Sequence, residues 1–203
     1  MDTTFVDKKT LIQTTWAQAV NDFVYRGVSP TGISPLPSEG KNILQWVTPS
    51  SWAAVLAGTS TIDFGALVNS IWATAPTHLF FPDVASGGAY KFLTTVLWRV
   101  GSIINGQSMD NTVFDGSSLT TPLFSVALNQ YGTGASNQGI RDSRLSEVKL
   151  IGNTSASGNH LLFSDQGFWK NVVERVWFYS CGGDAIHINS TVVSAGAYYN
   201  TIR

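Results

Sequence analysis

The stretch "NVVERVWFYSCGGDAIHINS", residues 171–190, decides the fold because an earlier part of the chain carries the same pattern. Three pairs of apolar residues in the two copies share one constant spacing along the chain: Leu145 and Val173, Val148 and Val176, Leu150 and Phe178. Further along, Leu162 corresponds to His187, which predicts that the connecting turn is three residues shorter in the second copy than in the first. A third copy begins at Asn200, which corresponds to Val172 at the same constant spacing.

Repeats of roughly 20–50 residues, built from short β-type segments with variable turns, are typical of a solenoid in which each turn buries its apolar side on its neighbours. The repeat contains no helical pattern, which favours a parallel β-helix. Propeller blades would be longer and would carry tight hairpin signals, which the sequence lacks. We therefore predict a mainly β protein built on a parallel β-helix.

The repeat also bears on Cys181, the only cysteine, which precedes His187 by six positions. His187 alternates with Ile186 and Ile188, so it points outward if the two isoleucines point inward. Cys181 then lies near a turn as a small buried apolar residue. A nucleophilic pair would also need an orienting carboxylate and an oxyanion pocket. We interpret both residues as parts of one solenoid turn and not as a catalytic dyad.

Composition excludes several classes of protein. Charged residues make up 12% of the 203 residues, about half the usual share, and the net charge of -1 argues against a nucleic-acid partner. No CxxC or Cys/His cluster indicates a metal, and we predict no metal and no cofactor. The start lacks the apolar core of a signal peptide, and no apolar run has the roughly 20 residues of a membrane helix. We therefore expect a soluble chain made in a cytoplasm, without membrane insertion.

The chain divides into three predicted parts: residues 1–26, 27–46 and 47–203. The first part contains a helix after Thr15, with one apolar stripe formed by Trp16, Val20, Phe23 and Val24. Such a short helix must pack on a partner, which is either its own domain or another chain. The second part is a linker rich in Gly, Pro and Ser. The third part opens with a helical pattern over residues 61–76, which Pro76 ends, and continues as short strands.

The third part resembles a known family. Residues 47–83 are similar to the entry segment of pectate-lyase-like right-handed β-helices in bacteriophage tailspikes. Trp52-Ala53-Ala54 stands for that family's Phe-Gly-Ala step, Ala57-Gly58-Thr59 for its Gly-Asp-Gly turn, and Ile62-Asp63 for its paired aspartates. A capping helix and the "LFFPD" strand follow, and "VNDFVY", residues 20–25, resembles the virion-binding segment of many tail fibres.

The resemblance implies a homotrimeric structural protein of the virion tail, made in the host cytoplasm. Its N-terminus, through Trp16, Val20, Phe23 and Val24, would dock on the phage tail, a portal adaptor or the capsid. Its β-helix would project toward host surface polysaccharide for adsorption. Because the chain stops at Arg203 as a third copy starts, we expect either the front of a longer spike or an end that another subunit or domain covers.

Many such spikes cleave polysaccharide with two carboxylates, so a lyase or glycosidase is the alternative function. In the predicted register no two carboxylates stack: Glu147 lies beside Arg175, Glu174 beside Ser146 and Asp184 beside Asn159. We retain Asp165, Glu174 and Asp184 as catalytic candidates, although we expect no catalytic site in these residues. Trp169 and Trp177 are candidates for stacking on sugar rings, or they fill turns or a trimer interface. An exported carbohydrate-active enzyme or adhesin is a third class, which the missing signal peptide disfavours.

Overall fold

The computed structural model describes residues 40–74, 77–126, 139–164, 167–189 and 197–203. Parallel strands form a β-solenoid of about four turns, which confirms the predicted fold class. The predicted N-terminal helix with its four docking side chains lies outside the described residues, as does Asp165.

In these ranges fifteen strands, β1–β15, form three sheets whose strand pairs are parallel. The first sheet contains β1 (Lys41–Asn42), β2 (His78–Phe81), β3 (Tyr90–Lys91), β5 (Ile103–Gly106), β6 (Val113–Asp115), β9 (Arg144–Ile151), β12 (Val172–Tyr179) and β15 (Thr201–Ile202). The second contains β4 (Val96–Trp98), β7 (Phe124–Val126), β10 (Leu162–Ser164) and β13 (Ile186–Ile188). The third contains β8 (Gly139–Arg141), β11 (Gly167–Trp169) and β14 (Ala197–Tyr198).

The constant spacing predicted from the sequence is confirmed along β9 and β12. All three predicted pairs lie opposite one another in these strands: Leu145 and Val173, Val148 and Val176, Leu150 and Phe178. Glu174 lies opposite Ser146 as predicted, and Glu147 forms an ion pair with Arg175. The apolar alternation was sufficient here because both strands have eight residues, so one register satisfies the whole length.

The predicted register is wrong by one residue at two other places. Leu162 pairs with Ile186 and not with His187, so the connection between these strands is one residue shorter than predicted. Val172 pairs with Thr201 and not with Asn200, so that connection is one residue longer. The physical reason is the same at both places, because the pairing keeps apolar side chains in inward columns while the turns change length. As a consequence Asp184 lies beside His160 and not beside Asn159.

Two short α-helices of the described chain precede the first full turn. Helix α1 spans Trp52–Leu56, after 3-10 helices at Ile43–Trp46 and Pro49–Ser51, and α2 spans Phe64–Thr74. Helix α2 confirms the predicted helix, because Phe64, Val68, Ile71 and Trp72 are all buried. Within the described part of the chain, neither helix has the length and apolar character needed to cross a membrane.

The described fold includes residues of the predicted linker segment 27–46. Strand β1 (Lys41–Asn42) pairs with β2, and Ile43 and Leu44 are buried. Residues 41–44 of the predicted segment 27–46 therefore belong to the described fold, because two aliphatic side chains there lie in the core.

The core near α2 consists of contacting aromatic rings. Phe64 of the helix meets Tyr90 edge to face, with ring centroids 4.9 Å apart. Phe81 contacts Phe114 at 4.7 Å, and Phe92 contacts Phe114 at the same distance. All five rings are at most 1% exposed. Helix α2 therefore supplies the layer that covers the inward side chains of the first turn.

Candidate functional site

Trp177 lies on an exposed aromatic patch of the first sheet. Its side chain is 44% exposed and that of Tyr179 is 49% exposed, two residues along the same strand. The Lys149 ammonium lies 4.1 Å from the Trp177 ring centroid and 4.7 Å from that of Tyr179. Strand pairing places Lys149 opposite Trp177, so one face of this ring is covered by a cation. The patch, formed by Lys149, Trp177 and Tyr179, offers aromatic surface and one positive charge to a polar ligand.

Trp169 lies elsewhere. It belongs to β11 in the third sheet and is half-buried, opposite Arg141. Trp177 is near the far end of β12 in the first sheet. The two tryptophans therefore belong to different sheets of the solenoid.

Glu174 is a buried carboxylate, with 2% of its side chain exposed. It forms an ion pair with Arg144 of the preceding turn, and its Oε2 accepts a hydrogen bond of 2.7 Å from Arg203 of the following one. Both carboxylate oxygens are therefore occupied by guanidinium groups. This arrangement links three successive turns and leaves the carboxylate little access to a substrate.

Asp184 is in the opposite situation, with a side chain that is 61% exposed. Its Oδ2 lies 2.7 Å from Nδ1 of His187. Its backbone N–H donates to Nδ1 of His160 at 2.9 Å. The hydrogen bond from His187 and the two nearby imidazoles hold the pKa of Asp184 below its ordinary value.

These hydrogen bonds assign different tautomers to the two neutral imidazoles. Nδ1 of His187 carries the proton that it donates to Asp184, whereas Nδ1 of His160 accepts and leaves the proton on Nε2. The ring centroids of His160 and His187 are 4.9 Å apart, and His187 also stacks on Phe163 at 5.1 Å. The cluster of His160, Asp184 and His187 therefore brings three groups together at one place on the surface. They are the lone pair on Nδ1 of His160, the carboxylate of Asp184 and the N–H group on Nδ1 of His187.

Cys181 does not complete this cluster. Its Sγ donates to the carbonyl oxygen of Gly183 at 3.2 Å, and it packs against the core. Burial and the nearby Asp184 carboxylate raise the pKa of the thiol, which disfavours a thiolate nucleophile. The hydrogen-bond partner of His187 is Asp184.

Sequence reasoning missed His160 because the predicted register placed Asp184 beside Asn159. Aligning the inward residues of "HLLFS" with those of "DAIHI" would have found it, since Leu162 then matches Ile186 and His160 matches Asp184. Comparisons of the chain with protein-family models, curated proteins and solved structures find no match.

Proposed function

We propose that this chain is a structural protein of a bacteriophage virion: a tailspike that docks by its N-terminus and presents a β-solenoid to host surface polysaccharide. The observation that carries the proposal is the entry segment. Residues 47–83 resemble that of phage tailspikes, and they contain the two α-helices and strand β2 of the solenoid. The low content of charged residues is also consistent with side-by-side packing of solenoids.

Two exposed apolar residues, one in strand β4 of the second sheet and one before that strand, support lateral association. Leu97 in β4 is 42% exposed and Leu93 just before it is 53% exposed. Large apolar side chains that are exposed close together in the sequence are consistent with a protein contact. We propose that this face packs on other copies in a homotrimer.

The exposed patch of Lys149, Trp177 and Tyr179 supports a glycan contact. Aromatic rings stack on the apolar faces of sugars, while the ammonium group attracts acidic or hydroxyl-rich ligands. The proposed role of this patch is adsorption, which needs binding without bond cleavage.

The experiment that tests assembly is the particle mass in solution, measured by light scattering on the full chain and on a chain lacking residues 1–40. For the full chain we expect three times the single-chain mass of 21.9 kDa, and the shortened chain should also be a trimer. A Leu97→Asp variant should fall to the mass of one chain, while the exposed control Leu56→Asp on α1 should keep the mass of the wild type. A single-chain mass for the wild-type protein would contradict the trimeric spike.

The experiment that tests adsorption is binding to a panel of purified bacterial surface polysaccharides. We expect retention of intact polymer by the protein. Release of soluble oligosaccharide would instead indicate the depolymerase that is the alternative function, and no binding to any polymer would contradict adsorption by these residues.

A further inference from the structure

His160, Asp184 and His187 come from two consecutive turns of the solenoid. His160 lies just before β10, and the other two lie beside and within β13, the next strand of the same sheet. One candidate ligand atom from each residue lies within 4.8 Å of those from the other two. Two imidazoles and a carboxylate are a ligand set that Zn²⁺ accepts in proteins.

The distances match a tetrahedral ion after a small movement. Oδ2 of Asp184 is 2.7 Å from Nδ1 of His187 and 3.6 Å from Nδ1 of His160. Bonds of about 2.0–2.1 Å to Zn²⁺ put the ligand atoms of a tetrahedral site about 3.4 Å apart. Oδ2 of Asp184 must therefore move about 0.7 Å away from Nδ1 of His187, which its exposure allows. The ligand atoms of the two histidines, which lie within 4.8 Å of each other, must come to the same tetrahedral separation. We propose that these three residues bind one Zn²⁺ ion, with the fourth position open to water.

Binding replaces two hydrogen bonds by coordinate bonds without a net loss of protons. The proton on Nδ1 of neutral His187 passes to Nε2, so that the Nδ1 lone pair becomes a ligand. The backbone N–H of Asp184 leaves Nδ1 of His160 and turns to water, to which the exposed turn gives it access. The carboxylate is already ionised at neutral pH.

The ligand types decide which ion fits. Nitrogen ligands from imidazole suit Zn²⁺ and its transition-metal neighbours, whereas Ca²⁺ and Mg²⁺ require mainly oxygen. Because the ligands belong to successive turns, the ion acts as a clip between them. Binding of the ion at this place is independent of the proposed adsorption function.

The test is a titration of the full chain with Zn²⁺ and with Co²⁺, which replaces Zn²⁺ and absorbs visible light when tetrahedral. We expect one Co²⁺ per chain, displacement of its absorption by Zn²⁺, and a higher unfolding temperature with Zn²⁺. His160→Gln and His187→Gln should each abolish the visible absorption. Asp184→Asn should weaken binding at least about tenfold.

Matched variants separate this site from general surface binding. Asp142→Asn removes a carboxylate that is 59% exposed outside the cluster, and Cys181→Ser removes the nearby thiol. Both should bind Co²⁺ as the wild type does, and circular dichroism should show all variants folded. Absence of tetrahedral Co²⁺ absorption in the wild type would overturn the proposal. Binding of Co²⁺ by the two histidine variants that equals the binding by the wild type would also overturn it.

Discussion

The entry end of the solenoid and its last described turns bury the same kind of residue to different extents. One inward column of the first sheet shows this: Leu79, Ile104 and Leu145 are 0% exposed, Val173 is 1% exposed and Ile202 is 51% exposed. At the entry end, α2 places buried Phe64 and Trp72 over the first turn. The turns on either side of an inward side chain bury it, and within the described residues the strand of Ile202 pairs with β12 alone.

Two phenylalanines test this comparison with the largest expected effect. Phe64 is fully buried, whereas Phe178 in β12 is half-buried. Phe64→Ala should lower the free energy of unfolding by about 3–5 kcal/mol, because it removes a packed ring and leaves a cavity. Phe178→Ala should cost about half as much, since less area is returned to water.

Urea denaturation measures both changes. Phe92→Ala, another fully buried ring, serves as a second entry-end variant and should behave as Phe64→Ala does. If Phe64→Ala and Phe178→Ala lower the free energy of unfolding equally, the Phe178 ring contributes as much packing as the Phe64 ring, and the comparison fails.

The buried ion pairs of Glu174 sharpen the comparison, because they stabilise the far end by charge and not by apolar packing. Glu174→Gln should lower the free energy of unfolding by about 2 kcal/mol, since it weakens charge-assisted hydrogen bonds to Arg144 and Arg203. Glu147→Gln is the matched control, because its pair with Arg175 is more exposed and should contribute less than about 1 kcal/mol. Urea unfolding at low and high salt measures the two contributions separately. A larger loss of unfolding free energy for Glu147→Gln than for Glu174→Gln would contradict the prediction.

The sequence alone could predict the features that rest on periodicity but not those that depend on turn length. The apolar stripe of α2 and the repeat of the strands rest on periodicity, so the helix, the strands and the β9–β12 register followed from it. The pairings of Leu162 with Ile186 and of Val172 with Thr201 depend on turn length, which the alternation does not fix. The error of one residue was enough to hide the contact between His160 and Asp184.

The burial of Glu174 could not be predicted for a related reason. Its carboxylate is enclosed by arginines 30 positions before it and 29 positions after it. Only the stacking of turns brings these side chains together, and no local pattern signals such a pairing. Trp177 is exposed, and its role in sugar stacking stays a prediction. That Trp177 and Trp169 belong to different sheets followed only from the assignment of each strand to a sheet.

The cap of α2 gives a pH-dependent prediction at the entry end. Oδ1 of Asp63 accepts from the backbone N–H groups of Gly65 and Leu93, each at 3.0 Å. Burial alone would raise the pKa of Asp63, but these bonds and one from Thr94 outweigh it and hold the pKa below 3.8. Because the folded pKa is depressed, the stabilisation is complete above the unfolded pKa and is lost as the pH falls through the folded value.

Asp63→Ala should therefore cost about 1 kcal/mol at pH 7, the usual effect of losing a helix cap. The difference from the wild type should shrink as the pH falls below 3.8. Thermal unfolding from pH 7 to pH 2.5 measures it, with the exposed Asp110→Ala as the control. If the stability difference between the wild type and Asp63→Ala grows in acid, the pKa of Asp63 is raised on folding and not lowered, which contradicts the prediction.

The smallest effect on stability is expected at Trp177, where the substitution tests polysaccharide binding more than packing. Trp177→Ala removes a ring that is 44% exposed, and the Lys149 contact over it contributes about 0.5–1 kcal/mol at an exposed site. Trp46→Ala at the entry end removes a ring that is 36% exposed and should cost a similar amount. The two variants should differ in binding, because only Trp177 lies in the patch with Lys149 and Tyr179. Loss of polysaccharide retention in Trp177→Ala alone would assign recognition to this face of the solenoid. Equal retention by both variants would leave Trp177 as an ordinary surface residue and place adsorption elsewhere.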